Sequence, residues 1–172
     1  MNNPAKLAKT AAEHYIKTLT PPQLSPQQPP DLLIQRACYV YLYQKPGQRL
    51  RAVFGRPLPQ YSHLAEEITV NTITAIIQAK HIKLRRSDLP SMSYSVAVLE
   101  AVQRINDYHH LDPYRYGLYL RSDQSKTSVI LPQRPGIETA QDQFATALRE
   151  AGINLRQEAI SLYRFAVNYY DS

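Results

Sequence analysis

The chain has 172 residues, of which 44% are hydrophobic and 20% charged, and its formal net charge at pH 7 is +6. This length and composition suit one globular domain and exclude a disordered or fibrous chain. The lone cysteine, Cys38, cannot form an internal disulfide, and no apolar run approaches the roughly 20 residues that cross a bilayer. We therefore expect a single folded, basic, cytoplasmic protein.

The excess positive charge is concentrated in one third of the sequence. Between Arg36 and Arg86 there are nine Lys or Arg residues and two Asp or Glu residues, a local balance of +7. The remaining residues hold eleven basic and twelve acidic groups, so all of the excess positive charge lies in this stretch.

The first segment has the features of a helix followed by a connector. Asn3 is a suitable N-cap and Pro4 suits the first helical position. Apolar residues recur every four positions and predict one buried stripe, formed by Leu7, Ala11, Tyr15 and Leu19. Five prolines in residues 20–31 predict an extended connector. The expected organisation is an N-terminal helix over 1–19, a Pro-rich connector over 20–31, and the main domain over 32–172.

The next part of the chain predicts a hairpin, a helix and a strand. Residues 36–43 alternate, with Cys38, Val40 and Leu42 on one face, and the turn at 44–47 leads to a second strand over 48–55. Ser62 is the expected cap of a helix that runs to about residue 79. Its β-branched middle also allows a strand, although its length favours a helix. Residues 93–100 complete this half as a strand.

The second half repeats the same order. Residues 116–122 and 126–131 predict a hairpin, and Thr139 with Asp142 forms a capping box at the start of a helix. A final strand is expected over 162–170. The sequence therefore predicts an α+β fold of two hairpin–helix–strand halves, with mainly antiparallel sheets and an additional N-terminal helix.

Four short segments carry a resemblance to a known family. Residues 96–100, 116–120, 131–133 and 162–165 read Val-Ala-Val-Leu-Glu, Tyr-Gly-Leu-Tyr-Leu, Leu-Pro-Gln and Leu-Tyr-Arg-Phe. Their order and spacing resemble the AMMECR-one (AMMECR1) domain family, the A component of AmmeMemoRadiSam systems, over roughly residues 36–170. The resemblance implies an α+β fold of two subdomains without an assigned reaction. It also implies partnership with a Memo-like, dioxygenase-type protein or a radical-SAM protein.

The first half departs from the family pattern at its hallmark, the hexapeptide Leu-Arg-Gly-Cys-Ile-Gly. The same place here reads Leu-Arg-Ala-Val-Phe-Gly, so that Val53 stands at the cysteine position. Cys38 lies on the preceding strand and is not its equivalent. The family's Asp-Pro-Arg-Phe-Pro-Pro segment is also missing, and the basic stretch 80–86 occupies that region. The chain thus resembles a divergent member that has lost the hallmark cysteine.

The remnant of the hexapeptide is the first candidate binding motif, formed by Leu50, Arg51, Gly55 and Arg56. Because Arg51 alternates with Leu50 and Ala52, its side chain is expected to leave the core face of the strand. A guanidinium there can hold a carboxylate or phosphate in a bidentate manner. The alternative is a solvated arginine, with Gly55 permitting the turn that follows.

The second candidate is a basic patch formed by Lys80, Lys83, Arg85 and Arg86. It could follow a phosphate backbone while tyrosines of the hairpin stack on bases. The alternative is a solvated connector that needs no partner.

The remaining reactive residues predict neither a metal site nor catalysis. Asp107, His109, His110 and Asp112 form a metal-like cluster, but two adjacent histidines on a loop rarely turn toward the same ion. Cys38 alternates with apolar residues and is expected to be a small buried hydrophobe. The sequence contains no nucleophile elbow, Walker loop or dinucleotide fingerprint. No catalytic residue, metal or cofactor is predicted.

Three functions remain open from the sequence. The first is a non-catalytic, protein-binding accessory domain of a Memo-like or radical-SAM redox system. The second is a basic nucleic-acid-binding module. The third is an enzyme of unidentified reaction whose site the sequence does not reveal.

Overall fold

The computed structural model describes residues 3–79 and 83–172, except for the side chain of Ala101. The chain divides into two compact units, the first reaching to Val98 and including Asn168–Ser172, the second spanning Leu99–Val167. The helices are α1 (Pro4–Thr18), α2 (Leu64–Gln78) and α3 (Ala140–Ala151). The strands are β1 (Cys38–Gln44), β2 (Arg49–Gly55), β3 (Met92–Ile105), β4 (Gly117–Ser122), β5 (Thr127–Ile130) and β6 (Ile160–Asp171).

Each half has the predicted order of hairpin, helix and strand. In the first unit, β1 lies between β2 and β3 and is antiparallel to both. In the second unit, β4 lies between β5 and β6 and is again antiparallel to both. The α+β fold with antiparallel pairing is confirmed. None of the helices in the described residues is long and apolar enough to span a membrane.

The core of the first unit follows the predicted alternation. Cys38, Val40 and Leu42 of β1 are fully buried, as are Tyr94 and Val96 of β3. They form one apolar cluster with residues of α1 and α2. The alternate residues of β1 are tyrosines, which are only partly buried. One face of this sheet therefore packs on helices, and the opposite face carries phenol groups.

Helix α1 begins as predicted but packs through a partly different face. The side chain of Asn3 accepts a hydrogen bond from the backbone N–H of Ala5 at 2.8 Å, and Pro4 opens the helix. The predicted stripe is confirmed at Ala11, which is fully buried, and at Leu7, which packs against the core, but it is wrong at Leu19, which is 76% exposed. The buried residues are small and include Ala5, Ala8, Ala11 and Ala12. Alanines allow the close approach of α1 to α2, so the smallest side chains form the contact and the larger ones lie at its edge.

Strand β3 is longer than predicted, extending from Met92 to Ile105 rather than over 93–100. Polar residues after residue 99 interrupt the apolar alternation, which is why the sequence suggested an earlier end. Leu99 and Ile105 are nevertheless buried, and Ile105 belongs to the core of the second unit. Tertiary packing therefore keeps the strand extended beyond its apolar stretch.

Helix α3 begins with the predicted capping box. The N–H of Asp142 donates to the hydroxyl of Thr139 at 3.1 Å, and the N–H of Thr139 donates to the carboxylate of Asp142 at 3.1 Å. Gly152 ends the helix with a left-handed φ of 63°. Ala147 is fully buried against apolar residues of β4 and β5.

Candidate functional site

The candidate motif lies on β2, the outermost strand of the first unit, except for Arg56, which directly follows the strand. The pairing with β1 is irregular here, since Ala52 lies opposite Leu42 and Leu50 lies opposite Tyr43. Arg51 therefore has no residue opposite it and forms a β-bulge. A bulge bends the strand and redirects the side chains beside it.

The bulge changes what the strand exposes. Ala52 is buried, whereas Leu50 is 46% exposed and Val53 is 41% exposed. Arg51 is half-buried and makes no hydrogen bond or ion pair with any described residue. The guanidinium of Arg56 lies 5.1 Å from the centre of the Phe54 ring, a cation–π contact. The edge of β2 thus combines exposed apolar side chains with cations, and the simple alternation expected from the sequence is wrong at Leu50.

A shallow cavity of about 300 Å³ runs between this edge and the C-terminal end of α2. Its lining is mixed, polar and apolar, and consists of Leu50, Arg51, Ala52, Val53, Ala75, Gln78 and Ala79. Val53 is therefore part of an accessible groove.

Gly55 is required by packing. A Cβ atom at this position would overlap the ring of Tyr39 and lie 2.5 Å from the carbonyl oxygen of Cys38. Tyr39 is also the cross-strand partner of Gly55. The glycine of the motif is explained by this close approach of β1, so neither ligand binding nor the following turn is needed to account for it.

The residues of the candidate basic patch have different contacts in the structure. Lys80 lies outside the described residues. The backbone N–H of Arg85 donates to the carboxylate of Asp88 at 2.8 Å, and Arg86 Nη2 donates to the backbone carbonyl of Lys17 near the end of α1. A cation at the C-terminus of a helix is favourable there. Arg86 therefore ties this stretch to α1, and Lys83 makes no hydrogen bond or ion pair with a described residue.

The metal-like cluster stabilises local turns. Asp107 accepts hydrogen bonds from the backbone N–H of His109 at 2.8 Å and from His109 Nδ1 at 2.5 Å. These bonds, the backbone one first, hold the pKa of Asp107 below its usual value. Asp112 accepts from the N–H of Tyr114 at 3.0 Å. Within residues 3–79 and 83–172 no three His, Cys, Asp or Glu side chains are placed to share a metal ion.

A buried polar cluster beneath β1 was not predicted. Glu67 of α2 is fully buried, and its carboxylate accepts from the backbone N–H groups of Gln60 at 2.8 Å and Tyr61 at 3.1 Å. Asn71, one turn later, donates to Glu67 at 3.4 Å and to the carbonyl oxygen of Cys38 at 3.0 Å. In the sequence, the signal for this cluster was the spacing of Glu67 and Asn71, which lie four residues apart and therefore on the same face of α2.

Glu67 also explains the start of α2. The predicted cap, Ser62, is wrong, since the helix begins at Leu64 and His63 occupies the cap position without a side-chain bond. The carboxylate of Glu67 reaches back to the loop before the helix and fixes the loop in place of a capping side chain.

Burial raises the pKa of the Cys38 thiol to about 12. The thiol makes a contact of 3.5 Å with Asn71 Nδ2 and lies near Glu67, whose charge raises the pKa further. Because only a thiolate is a strong nucleophile, Cys38 is inert at neutral pH. The interpretation of Cys38 as a buried hydrophobe is confirmed by its complete burial.

This pKa predicts a loss of stability in alkali. The folded protein retains the thiol proton above pH 9.0, the ordinary pKa, whereas the unfolded chain loses it. The unfolding free energy should therefore fall between pH 9 and 12, by about 1.4 kcal/mol per pH unit from this group. We expect urea titrations at pH 8.0 and 10.5 to show a larger loss for the wild type than for Cys38→Ala. Equal losses in both proteins would contradict the assignment.

The protein consists of two hairpin–helix–strand units. In the first unit, the edge strand β2 carries exposed apolar side chains next to arginines. A model of the AMMECR1 domain family matches residues 5–170. The chain belongs to the AMMECR1 domain family. The match begins within α1, so the N-terminal helix is part of the family domain, beyond the range 36–170 suggested by the sequence motifs.

The chain is also similar to two known proteins and to one solved structure. A Thermotoga maritima protein is 29% identical over 170 residues, covering 96% of this chain and 95% of that protein. Protein CA_C1420 of Clostridium acetobutylicum is 25% identical over 154 residues, which cover 89% of this chain and 32% of that longer protein. The crystal structure of uncharacterized protein PH0010 from Pyrococcus horikoshii superposes with a TM-score of 0.84 at 21% identity, covering 98% and 89% of the two chains. The last similarity supports the fold.

Proposed function

We propose that this chain is a cytoplasmic, non-catalytic protein-interaction domain that uses the edge of β2 to hold a redox enzyme of the Memo-like or radical-SAM class. The observation that carries the proposal is the exposure of Leu50 and Val53 on an edge strand, beside the half-buried and unpaired Arg51. The class of partner comes from the resemblance to AmmeMemoRadiSam systems.

The exposed apolar residues supply the central contact. Leu50 and Val53 flank the β-bulge and line the groove that ends at Ala75 and Ala79 of α2. Partner surfaces commonly bury apolar side chains in such a groove and surround them with polar groups. Groove and strand edge together fit an extended apolar segment of a second protein.

Charge defines the chemistry of that segment. Residues 49–56 contain three arginines and no acidic residue. Arg51 has no partner within the described residues, so its guanidinium is available for a bidentate bond to a carboxylate. We infer that the partner presents an acidic residue next to its apolar contact.

The experiment is a pull-down from nuclease-treated native extract with the tagged protein as bait. We expect a Memo-like or radical-SAM protein to be retained by the wild type and to be reduced at least tenfold by Leu50→Asp and by Arg51→Ala. Leu155→Asp is the matched control, because Leu155 is 50% exposed and Leu50 is 46% exposed. The control should retain the partner at the wild-type level.

Two outcomes reject the proposal. Equal recovery from Leu50→Asp and wild type would remove the β2 edge from the interface. Recovery of nucleic acid alone from untreated extract, with binding that falls steeply as salt rises, would instead support the nucleic-acid-binding alternative.

A further inference from the structure

A second cavity of about 430 Å³ lies within the first unit, near the motif on β2, since its lining includes Gln48 and Tyr43, the cross-strand partner of Leu50. It is lined by the β1–β2 turn, the first residues of β3 and the end of β6. The lining residues are Tyr43, Lys45, Gln48, Ser93, Tyr94, Ser95, Asp171 and Ser172. Its volume falls in the range of small-molecule sites, roughly 300–1,000 Å³.

Serine hydroxyls form one side of the cavity. Ser95 is only 8% exposed, and its hydroxyl makes no hydrogen bond with any described residue. Ser93 is also buried, but its hydroxyl donates to Gln48 Oε1 at 3.0 Å. The Ser95 hydroxyl remains accessible in the cavity wall, and the buried hydroxyl of this lining that lacks a partner among the described residues is that of Tyr94.

A phenol ring forms the adjacent side. Tyr43 lies opposite Ser93 in the β1–β3 pairing, and Tyr41 lies opposite Ser95. The rings of Tyr41 and Tyr43 stack at 6.1 Å with an angle of 8° between their planes, which holds Tyr43 in place. Such a fixed ring offers an apolar surface and a hydroxyl at its end.

One cation and one anion complete the lining. Lys45 and Asp171 form no ion pair with each other or with another described residue. Both are anchored through their backbones, since the N–H of Lys45 donates to the carbonyl of Ser91 at 2.7 Å and the carbonyl of Asp171 accepts from Asn3 Nδ2 at 2.7 Å. The cavity therefore presents two unpaired charges of opposite sign on a fixed frame.

We propose that this cavity binds a small zwitterion, a free α-amino acid or a dipeptide. The ligand carboxylate contacts the ammonium of Lys45, and its ammonium contacts the carboxylate of Asp171. The hydroxyl of Ser95 supplies a further hydrogen bond, and the ligand side chain lies against the ring of Tyr43. A ligand with a single charge would leave one of the two protein charges unmatched, so electrostatic complementarity favours the zwitterion. The lining of this cavity shares no residue with the groove between β2 and α2, so the proposal does not rest on the β2 interface.

Isothermal titration calorimetry with L-phenylalanine and the dipeptide Ala-Phe tests the site directly. We expect at least one of these two ligands to bind the wild type. Tighter binding of L-phenylalanine would identify a site for free amino acids, and tighter binding of Ala-Phe would identify a site for dipeptides. N-acetyl-phenylalanine and phenylalanine amide each lack one charge and should bind about ten- to hundredfold more weakly. Lys45→Met and Asp171→Asn should produce losses of the same size, and Ser95→Ala should produce a smaller one.

Lys9→Met on the exposed face of α1 is the control for a lost lysine and should bind as the wild type does. Lys45 lies in an exposed turn, so its replacement should leave the circular-dichroism melting curve unchanged. The proposal is overturned if neither probe binds at millimolar concentration. It is equally overturned if binding persists undiminished in both Lys45→Met and Asp171→Asn.

Discussion

Replacing Glu67 by alanine should lower the free energy of unfolding by about 3 kcal/mol or more. The change leaves the N–H groups of Gln60 and Tyr61 without their acceptor and removes a partner of Asn71. Hydrogen bonds to a charged group contribute about 1.5–3 kcal/mol each, and truncating the fully buried Glu67 side chain also leaves a cavity. Urea unfolding followed by circular dichroism measures the loss.

Glu66, the preceding residue of α2, provides the control. It is only partly buried, and no described residue bonds to its side chain, so Glu66→Ala should change the unfolding free energy by less than about 0.5 kcal/mol. Glu67→Gln retains an oxygen acceptor and should fall between the two. Equal effects of Glu66→Ala and Glu67→Ala would show that the buried carboxylate does not hold the loop before α2.

Gly117→Ala should destabilise the protein by about 2–3 kcal/mol through overpacking in the second unit. A Cβ atom on Gly117 would overlap the ring of Phe165, its cross-strand partner, and lie 2.8 Å from the carbonyl oxygen of Ile130. Phe165 is almost fully buried, so its ring has little room to move. Thermal or urea unfolding of the purified variant gives the loss.

A double-mutant cycle separates this clash from a general effect of alanine in a strand. Phe165→Leu removes the ring edge that the new methyl group would meet, so the cost of Gly117→Ala should be smaller in that background. Additive losses in the double variant would mean that the ring of Phe165 is not the obstacle.

Alternation and cap signals predicted most of the fold. The period of two placed Cys38, Val40 and Leu42 on the buried face of β1, and the pair Thr139 and Asp142 located the start of α3. These features depend on neighbours a few residues away. For that reason they can be read without knowledge of the tertiary structure.

The features that the sequence did not predict depend on contacts between distant segments. The bulge at Arg51 arises from the register between β1 and β2, and simple alternation could not reveal it. The burial of Glu67 depends on a loop that folds back over the first turn of α2. The alanine face of α1 is set by its distance from α2, whereas the periodic pattern favoured the larger Leu7 and Leu19.

The candidate site combines both kinds of feature. The family resemblance located the motif at 50–56. In the structure, the residues of this motif have different roles. Gly55 is fixed by the ring of Tyr39, while Leu50, Arg51 and Val53 remain accessible on the strand edge. Where the family carries its cysteine, this chain presents the apolar side chain of Val53. The exposure of this apolar side chain is one of the observations on which the proposed protein interface rests.

Site-specific photocrosslinking tests the central claim, that the edge of β2 is a protein interface, most directly. A photoreactive p-benzoylphenylalanine is placed at Leu50 in one variant and at the comparably exposed Leu155 in another. After irradiation in native extract, we predict a crosslink from position 50 to a Memo-like or radical-SAM protein, weakened by Arg51→Ala and missing from position 155. The claim is contradicted if position 50 yields no protein crosslink, or if positions 50 and 155 yield the same products.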